Sequence, residues 1–286
     1  MIQYPQHLVL PGKYVKNKIK EFLDEDIPNG DITTFGTVKK NVKTTAVLQA
    51  QQNLIFAGEQ ILNHIFPKSF NIALFYKDGS FVKSNEIIAK IIGSAAYILS
   101  VERVMLNLIQ RLCGIATLTQ KYSDIAKPFN VKILDTRKTT PGLRLFEKYA
   151  VAVGGGFNHR LDLSSGILIK DNHIKAAGSI PNAVRQIKQN KYPFPIEVEC
   201  ENEFQILEAL ECKVDGALLD NMPPDVLKKA VKLIRNHPQG KKIFIEASGG
   251  ITLDNLKKYV VTGVDAISIG ALTHSAKGAE LHLEFI

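Results

Sequence analysis

The second half of the chain alternates short apolar runs with longer amphipathic stretches. Six runs of strand length are nearly continuous in apolar residues: VKILD, GILIK, PIEVEC, DGALLD, KIFIEA and DAISIG. Strands that are buried on both faces have this composition, and such strands belong to parallel sheets. The ends of the runs recur roughly every 20–35 residues, which is the spacing of β/α units. The pattern therefore predicts a parallel α/β fold of the barrel type from about residue 131 onwards.

The stretches between the runs carry the marks of helices. One begins with Pro and another ends in Gly, as the ends of helices often do. The predicted helices are EFQILEALE, PPDVLKKAVKLIRN and TLDNLKKYVVTG.

Up to about residue 115 the pattern of apolar and polar residues is different. Runs that alternate apolar and polar residues, such as TTAVLQAQQNLIFAG, are separated by turn signals such as KDGS. This pattern indicates an antiparallel or mixed sheet with helices on one side. Residues 100–112 form an amphipathic segment with Ser100 as its expected N-cap. Its polar face, which includes Arg103, is either solvated or presented to another subunit or a ligand.

Composition excludes several classes of protein. The chain of 286 residues is 45% hydrophobic and 22% charged, which is ordinary for a globular protein. No run approaches the ~18 apolar residues of a membrane span, and the N-terminus is a poor signal peptide, so we expect a cytoplasmic protein. The three cysteines contain no C-x-x-C pair, which argues against a disulfide framework and a zinc site of the usual spacing. Cys200, at the end of an apolar run, is expected to be a small buried residue.

The net charge of +8 allows three kinds of partner: nucleic acid, an acidic surface or a small polyanion. The lysines are scattered along the chain, and no basic stretch is interleaved with aromatic residues as a single-strand binder would require. Most of these lysines are therefore expected to lie on a solvated surface.

Polar groups stand at the carboxyl ends of the apolar runs. Because the active sites of β/α barrels assemble at that end of the strands, these residues predict an active-site mouth. The strand-end residues are Asp135, Lys170, Glu199, Asp220 and Glu246.

The mouth has two chemical characters. Cations cluster between residues 137 and 173, and they suit a compact polyanion, since Arg and Lys recognise carboxylate and phosphate. Carboxylates come later and suit Mg²⁺ or sugar hydroxyls. The glycine-rich ASGGI and SIGA segments could direct backbone N–H groups to a phosphate, although SGG alone is a weak signal. The cations are Arg137, Lys138, His159, Arg160, Lys170 and His173; the carboxylates are Glu199, Asp220 and Glu246. We therefore predict an enzyme that joins a small anion to a phosphorylated, Mg²⁺-bound partner.

Longer motifs resemble one enzyme family over nearly the whole chain. The block LDTRKTTPGLRLFEKYAVAVGGGFNHRLDLSSGILIKDNHI is similar to the central part of the quinolinate phosphoribosyltransferases. Further matching motifs follow in the order of that family: NGDITT, ERVMLNLIQRLCGIATLT, EVEC, LLDNM, EASGGI and DAISIGALTHS. DTRKTTPGLR is the most specific of them.

The resemblance implies a reaction and an architecture. Quinolinate and phosphoribosyl pyrophosphate give nicotinate mononucleotide, pyrophosphate and CO₂ in NAD biosynthesis, with Mg²⁺ as cofactor. The implied fold class is α/β, with an N-terminal α/β sandwich domain (residues 1–115) and a C-terminal open α/β barrel (residues 116–286). The last residues are expected to pack back on the first domain. The implied assembly is a homodimer with shared active sites, without nucleic acid or membrane partners.

The resemblance also assigns roles to residues. Arg137, Arg160 and Lys170, with Arg103 of the other subunit, would hold the two quinolinate carboxylates, and His159 would lie beside the ring. Lys138 would contact phosphoribosyl pyrophosphate, and Glu199 and Asp220 would hold ribose hydroxyls and Mg²⁺-pyrophosphate. Lys138, Lys170, Glu199 and Asp220 form the predicted catalytic set. The other predicted substrate contacts are Thr136 and the phosphate cradle of Ser248, Gly249, Gly250, Gly270 and Ala271.

Two positions depart from the family, and several alternatives stay open. Asp162 stands where Gly is usual and is expected to face solvent, and Cys113 stands where a small residue is usual.

One rival is the molybdenum-transport-associated relative, which lacks the equivalent of Lys170. Another is nicotinate phosphoribosyltransferase, whose substrate has one carboxylate and needs fewer cations. A nucleic-acid binder or an inactive scaffold is disfavoured by the three carboxylates at the mouth.

Overall fold

A computed structural model describes residues 2–286, which divide into two compact units. The barrel unit comprises residues 2–6, Lys121–Arg144 and Gly156–His274, and the sandwich unit comprises His7–Gln120, Leu145–Gly155 and Ser275–Ile286. The expected division at residues 115 and 116 falls within one long helix, and it stays a prediction. None of the helices in residues 2–286 combines the length and apolar character that a membrane crossing needs.

The helices and strands alternate along most of the chain. The helices are α1 (Gly12–Asp26), α2 (Ile32–Thr37), α3 (Glu59–Ile65), α4 (Ala95–Ala126), α5 (Arg144–Val153), α6 (Asp171–Ala177), α7 (Ile180–Gln189), α8 (Glu203–Glu211), α9 (Pro224–Asn236), α10 (Leu256–Val260) and α11 (Ala271–His274). The strands are β1 (Lys43–Ala50), β2 (Leu54–Ile55), β3 (Asn71–Leu74), β4 (Phe81–Val82), β5 (Ile87–Ser94), β6 (Lys132–Leu134), β7 (Ile167–Ile169), β8 (Ile196–Cys200), β9 (Gly216–Asp220), β10 (Phe244–Ser248), β11 (Ala266–Ser268) and β12 (Leu281–Phe285).

The sandwich unit is built on an antiparallel sheet with the strand order β12-β1-β5-β3. The second half of β1 is mostly buried, with Ala46, Leu48 and Ala50 inaccessible to solvent. A separate antiparallel pair joins β2 to β4. The expected antiparallel or mixed sheet in the first part of the chain is therefore confirmed.

The helix expected at residues 100–112 is part of the much longer α4. Ser100 is not an N-cap, because the apolar spacing begins earlier and buries Ala95 and Ile98 on the same helix. The Ser100 hydroxyl instead donates a hydrogen bond to Asp31, 3.0 Å away. Asp31 caps α2 by accepting from the Thr34 amide, and these hydrogen bonds hold the pKa of its carboxyl below the ordinary value.

A buried ion pair links α4 to α5 within the sandwich unit. Two guanidinium nitrogens of Arg111 donate to Glu147 Oε1 at 2.8 and 3.1 Å, and a third donates to the Ala276 carbonyl at 2.9 Å. The Glu147 side chain is fully buried. Removing the arginine would take away both of these hydrogen bonds and a positive charge from the buried carboxylate.

We expect Arg111→Ala to lower the free energy of unfolding by about 3–5 kcal/mol, because breaking a buried pair costs more than the pair contributes. Urea-induced unfolding followed by circular dichroism measures this loss. Lys20→Ala, which removes an exposed pair with Asp24, is the matched control and should change stability little. A loss for Arg111→Ala no larger than that of the control would contradict the prediction.

The barrel unit contains six parallel strands in the order β6-β11-β10-β9-β8-β7. Each of the six apolar runs of the sequence forms one of these strands. At least one helix lies between each of the first five strands and the next in chain order, α8 and α9 among them. Beyond β6, Phe157 forms a parallel bridge with Leu134. Strands β6 and β7 do not pair with each other, so the barrel is open, and the predicted fold class is confirmed.

Residues 2–6 belong to the barrel unit. Ile2 packs into an apolar cluster with Leu134, Phe244 and Ala266, on β6, β10 and β11. Gln6 exchanges two hydrogen bonds with the backbone of Asn158, at 2.8 and 3.2 Å. This segment was expected only to be a poor signal peptide, and the structure gives it a place within the barrel.

The cysteines are free thiols, and two of them are buried. Burial raises the pKa of Cys113 and of Cys200 to about 12, so neither thiol is a ready nucleophile. The burial expected of Cys200 is confirmed, and Cys113, which stands where a small residue is usual in the family, is buried as well.

Candidate active site

A cavity of about 720 Å³ lies in the barrel unit at the carboxyl ends of the parallel strands. Every strand of the parallel sheet, or the loop that directly follows it, contributes to its lining. The lining residues are Asp135, Thr136, Arg137, Lys138, His159, Arg160, Leu168, Lys170, Glu199, Leu218, Asp220, Asn221, Glu246, Ser248, Gly249, Gly250, Ile251, Thr252, Ser268, Ile269, Gly270, Ala271 and His274. The predicted mouth therefore exists as a cavity.

The cations of the cavity come from three neighbouring segments. Arg137 and Lys138 follow β6, Arg160 follows the Phe157 bridge, and Lys170 follows β7. Arg160 donates to the Gly166 carbonyl at 3.0 Å, which fixes its guanidinium on one side. Burial and the charge of Arg137 lower the pKa of Arg160 from its ordinary value, so the two arginines repel each other across the site. An anion between them would relieve this repulsion.

Arg137 also carries an unused donor. Its Nε atom is buried and has no hydrogen-bond partner among residues 2–286. Because a buried donor without a partner costs free energy, such an atom is explained if a ligand supplies the acceptor. A carboxylate is a suitable acceptor for this group.

His159 is fixed by its neighbours on several sides. Asp135 accepts hydrogen bonds from the His159 amide and from the Asn158 side chain, at 2.8 and 2.7 Å. The Arg160 amide donates to His159 Nδ1 at 2.8 Å, so the ring hydrogen lies on Nε2. Nε2 faces Glu197 and Glu246, at 3.5 and 3.4 Å.

The two glutamates are buried inside the barrel and control the charge of this cluster. Burial lowers the pKa of His159, but the charges of Glu246 and Glu197 outweigh burial and raise the pKa above its ordinary value. The Arg160 amide that donates to Nδ1 limits this rise, because a proton on Nδ1 would break that hydrogen bond. Burial and the nearby Glu246 raise the pKa of Glu197 to about 6. The ligand atoms of these three residues lie within 4.8 Å of one another, a spacing that a metal could also use.

The cavity lining also carries carboxylates. Lys170 Nζ forms an ion pair with Glu199 Oε2. Asp220 accepts a hydrogen bond from its neighbour Asn221 at 2.6 Å. Burial and the charge of Glu199 raise the pKa of Asp220, so two carboxylates repel each other here while Lys170 partly offsets them. A further cation, or the hydroxyls of a sugar, would stabilise this pair.

Backbone conformation after β10 depends on glycine. Gly249 has φ +94°, and a Cβ atom there would lie 2.1 Å from Asn221 Oδ1. Only glycine adopts this conformation and allows this approach without strain. Gly250, also at positive φ, and Gly270 after β11 lie beside it on the same rim, so the rim has room for a phosphate close to the main chain.

All residues predicted for the site line the cavity except Arg103 and His173. Arg103 is exposed on α4 in the sandwich unit and does not line the cavity. His173, counted among the cations of the mouth, does not line it either, because its Nδ1 accepts from the Lys170 amide at 2.9 Å within the first turn of α6. Asp162 is half-buried and accepts hydrogen bonds from the amide and hydroxyl of Ser164 within its own loop, so it does not compete for Arg160 through a direct contact.

Sequence reasoning missed three residues that line this cavity or contact His159. Glu197 could have been found, because the alternation in IEVEC places it on the same face of β8 as Glu199. His274, in the THS segment after β11, lines the cavity without any spacing signal. Tyr4, whose ring packs against His159, comes from a segment with no periodicity at all.

Fold and site together define an α/β-barrel enzyme with a cavity for a polyanionic substrate. Family models agree in detail: the quinolinate phosphoribosyl transferase C-terminal domain matches residues 115–284, and the N-terminal domain of the same family matches residues 31–113. The chain belongs to the quinolinate phosphoribosyltransferase family.

Individual relatives extend over the whole chain. A probable nicotinate-nucleotide pyrophosphorylase [carboxylating] of Bacillus subtilis is 43% identical, covering 94% of this chain and 93% of the relative. The enzyme of that name from Mycobacterium leprae is 36% identical over 94% of this chain and 96% of the relative. The solved nicotinate-nucleotide pyrophosphorylase of Francisella tularensis superposes with a TM-score of 0.92 at 37% identity, covering 99% of each chain.

Proposed function

We propose that this protein transfers the phosphoribosyl group of phosphoribosyl pyrophosphate to quinolinate and releases CO₂, giving nicotinate mononucleotide and pyrophosphate for NAD biosynthesis. The observation that carries the proposal is that one cavity combines a group of cations with a pair of carboxylates, joined by the ion pair between Lys170 and Glu199. Arg137, Arg160 and Lys170 form the cationic side, and Glu199 and Asp220 form the carboxylate side. A dicarboxylate fits the first, and a sugar bearing pyrophosphate fits the second.

The chemistry requires positioning more than a protein nucleophile. The pyridine nitrogen attacks the ribose carbon as the bond to pyrophosphate breaks, and positive charge develops on the sugar. Glu199 and Asp220 face that charge, and the arginines hold the ring by its carboxylates in line for attack. After transfer, the C2–CO₂⁻ bond breaks, its electron pair is stabilised by the cationic ring nitrogen, and C2 takes up a proton. The rim of Gly249, Gly250 and Gly270 receives the 5′-phosphate through backbone N–H groups.

Mg²⁺ suits the carboxylate side as a substrate-bound cofactor. Two carboxylates that repel each other, one of them paired with Lys170, are too few for a closed metal cage. Mg²⁺ keeps several water ligands and is commonly bound by one or two carboxylates together with substrate phosphates, so Glu199 and Asp220 fit this mode. When bound, the ion would neutralise charge on the leaving pyrophosphate.

A homodimer would explain Arg103. This arginine is exposed on α4, opposite an apolar stripe that is buried at Val101, Val104 and Met105. An exposed arginine on this face can complete the cationic side of another subunit's cavity. The shared active site is therefore part of the proposal.

The alternatives explain less of the cavity. Nicotinate carries one carboxylate and would leave part of the cationic side unused. The molybdenum-transport-associated branch lacks the equivalent of Lys170, whereas this chain has Lys170 and pairs it with Glu199. A nucleic-acid groove would not place carboxylates beside its cations.

The relatives occupy different compartments, since the Arabidopsis thaliana relative is chloroplastic and a Nicotiana tabacum relative is mitochondrial. The cytoplasmic location stays a prediction.

A turnover assay tests the proposed function. Purified protein is incubated with quinolinate, phosphoribosyl pyrophosphate and Mg²⁺, and nicotinate mononucleotide is quantified by chromatography. We expect turnover with quinolinate, none with nicotinate in its place, and loss of turnover when EDTA removes the metal. Turnover with nicotinate but not with quinolinate would instead identify the protein as a nicotinate phosphoribosyltransferase.

A further inference from the structure

The segment of residues 2–6 is fastened within the barrel unit on both sides of Tyr4. Ile2 is 3% exposed in its apolar cluster, and Gln6 both donates to and accepts from the Asn158 backbone. Asn158 directly precedes His159. The two anchors, Ile2 and Gln6, therefore fix the position of Tyr4 relative to His159.

The ring of Tyr4 packs against the ring of His159. The ring centroids are 4.6 Å apart and the planes are tilted by 30°, a spacing at which aromatic pairs attract each other. Gly166 leaves the space that Tyr4 needs, since a Cβ atom there would lie 2.6 Å from Tyr4 Cε1. Burial and the charges of Glu197 and Glu246 raise the pKa of the Tyr4 hydroxyl, so the tyrosine stays neutral.

His159 lines the active-site cavity and is also contacted by several neighbouring groups. Nδ1 accepts from the Arg160 amide, Nε2 faces the two buried glutamates, and Tyr4 lies against the ring. Tyr4 does not line the active-site cavity, whereas His159 does. Tyr4 instead lines a separate cavity of about 220 Å³ together with Ile2 and Gln6. The Tyr4 ring therefore supports His159 from outside the active site.

We propose that Tyr4 is a positioning residue, which holds the His159 ring in place from the side away from the substrate. This inference rests on the proposed function, in which His159 lies beside the quinolinate ring. Tyr4 touches no substrate, and any effect of its removal must pass through His159.

A double-mutant cycle tests this coupling. Tyr4→Leu, which keeps apolar bulk but removes the ring, should lower kcat/KM for quinolinate by about tenfold, because small displacements of a positioning group are costly. The KM for phosphoribosyl pyrophosphate should stay within about twofold of the wild-type value. Tyr4→Phe, which keeps the ring, should retain most of the wild-type kcat/KM. In a His159→Ala background, Tyr4→Leu should have no further effect, because the two residues act as a unit.

Two further measurements keep the proposal falsifiable. Ring-proton signals of His159, assigned by their loss in His159→Ala, should shift in Tyr4→Leu and stay close to wild type in Tyr4→Phe, without substrate present. If Tyr4→Leu does not fold, Gln6→Ala, which frees the segment but keeps the tyrosine, replaces it in the same cycle. Equal losses in both backgrounds, or unchanged kinetics in Tyr4→Leu, would overturn the proposal. Absence of turnover in the wild-type protein would instead reject the proposed function, while the ring-proton shifts would still report on Tyr4.

Discussion

Lys170→Ala is expected to lower kcat/KM for quinolinate by about 10²–10³-fold, the usual cost of removing one preorganised donor from an active site. Lys170 belongs to the cationic side of the cavity and is paired with Glu199 of the carboxylate side. Its removal takes away a contact to the substrate anion and leaves Glu199 and Asp220 repelling each other without the nearby cation. Steady-state kinetics with each substrate varied in turn measures the loss.

A nearby lysine provides the matched control for Lys170→Ala. Lys175 lies on α6, pairs with Asp171 at 3.0 Å on the surface and does not line the cavity. Lys175→Ala should leave the kinetics close to wild type, and both variants should keep the circular dichroism spectrum of the parent. If Lys170→Ala turned over quinolinate as fast as Lys175→Ala does, Lys170 would have no place in the proposed site.

Mixed subunits are expected to recover activity that neither parent has. Subunits carrying Arg103→Ala and subunits carrying Lys170→Ala would each form inactive homodimers. In a heterodimer, one cavity would combine an intact Lys170 with the partner's intact Arg103. Since half of randomly paired dimers are heterodimers with one working cavity in two, the mixture should reach about a quarter of wild-type activity.

The reverse mixture provides the control for this experiment. A subunit with both substitutions, paired with a wild-type subunit, would leave both cavities defective. An excess of the double variant should therefore suppress wild-type activity. No recovery in the first mixture and no suppression in the second, after subunit exchange has been shown with tagged subunits, would rule out a shared active site.

Much of the barrel and its cavity could be predicted from the sequence, and the reason is local. Strands buried on both faces are apolar along their whole length, so each is visible without knowledge of its neighbours. The polar residue that ends such a run must then lie at the edge of the sheet, as Lys170 and Asp220 do. His173 was misplaced because its side chain turns back to the Lys170 amide, a local hydrogen bond that its charge does not reveal.

Other features depend on contacts between distant residues and were out of reach. The start of α4 was placed at Ser100, since a serine before an apolar stripe resembles a cap, whereas the helix begins at Ala95. Tyr4 and His159 are far apart in the chain, and nothing in the short segment of residues 2–6 shows where it packs. Arg111 and Glu147 likewise find each other only in the folded sandwich unit.

The open barrel also limits the ways in which copies of this chain can associate wrongly. A sheet that does not close has two free edges, and long free edges invite strand addition from other chains. Here the edge strands β6 and β7 have only three residues each, and Phe157 exchanges hydrogen bonds with Ile133 and Asp135 along the outer side of β6. The two free edges of the barrel sheet therefore offer little template for amyloid-like or edge-to-edge aggregation.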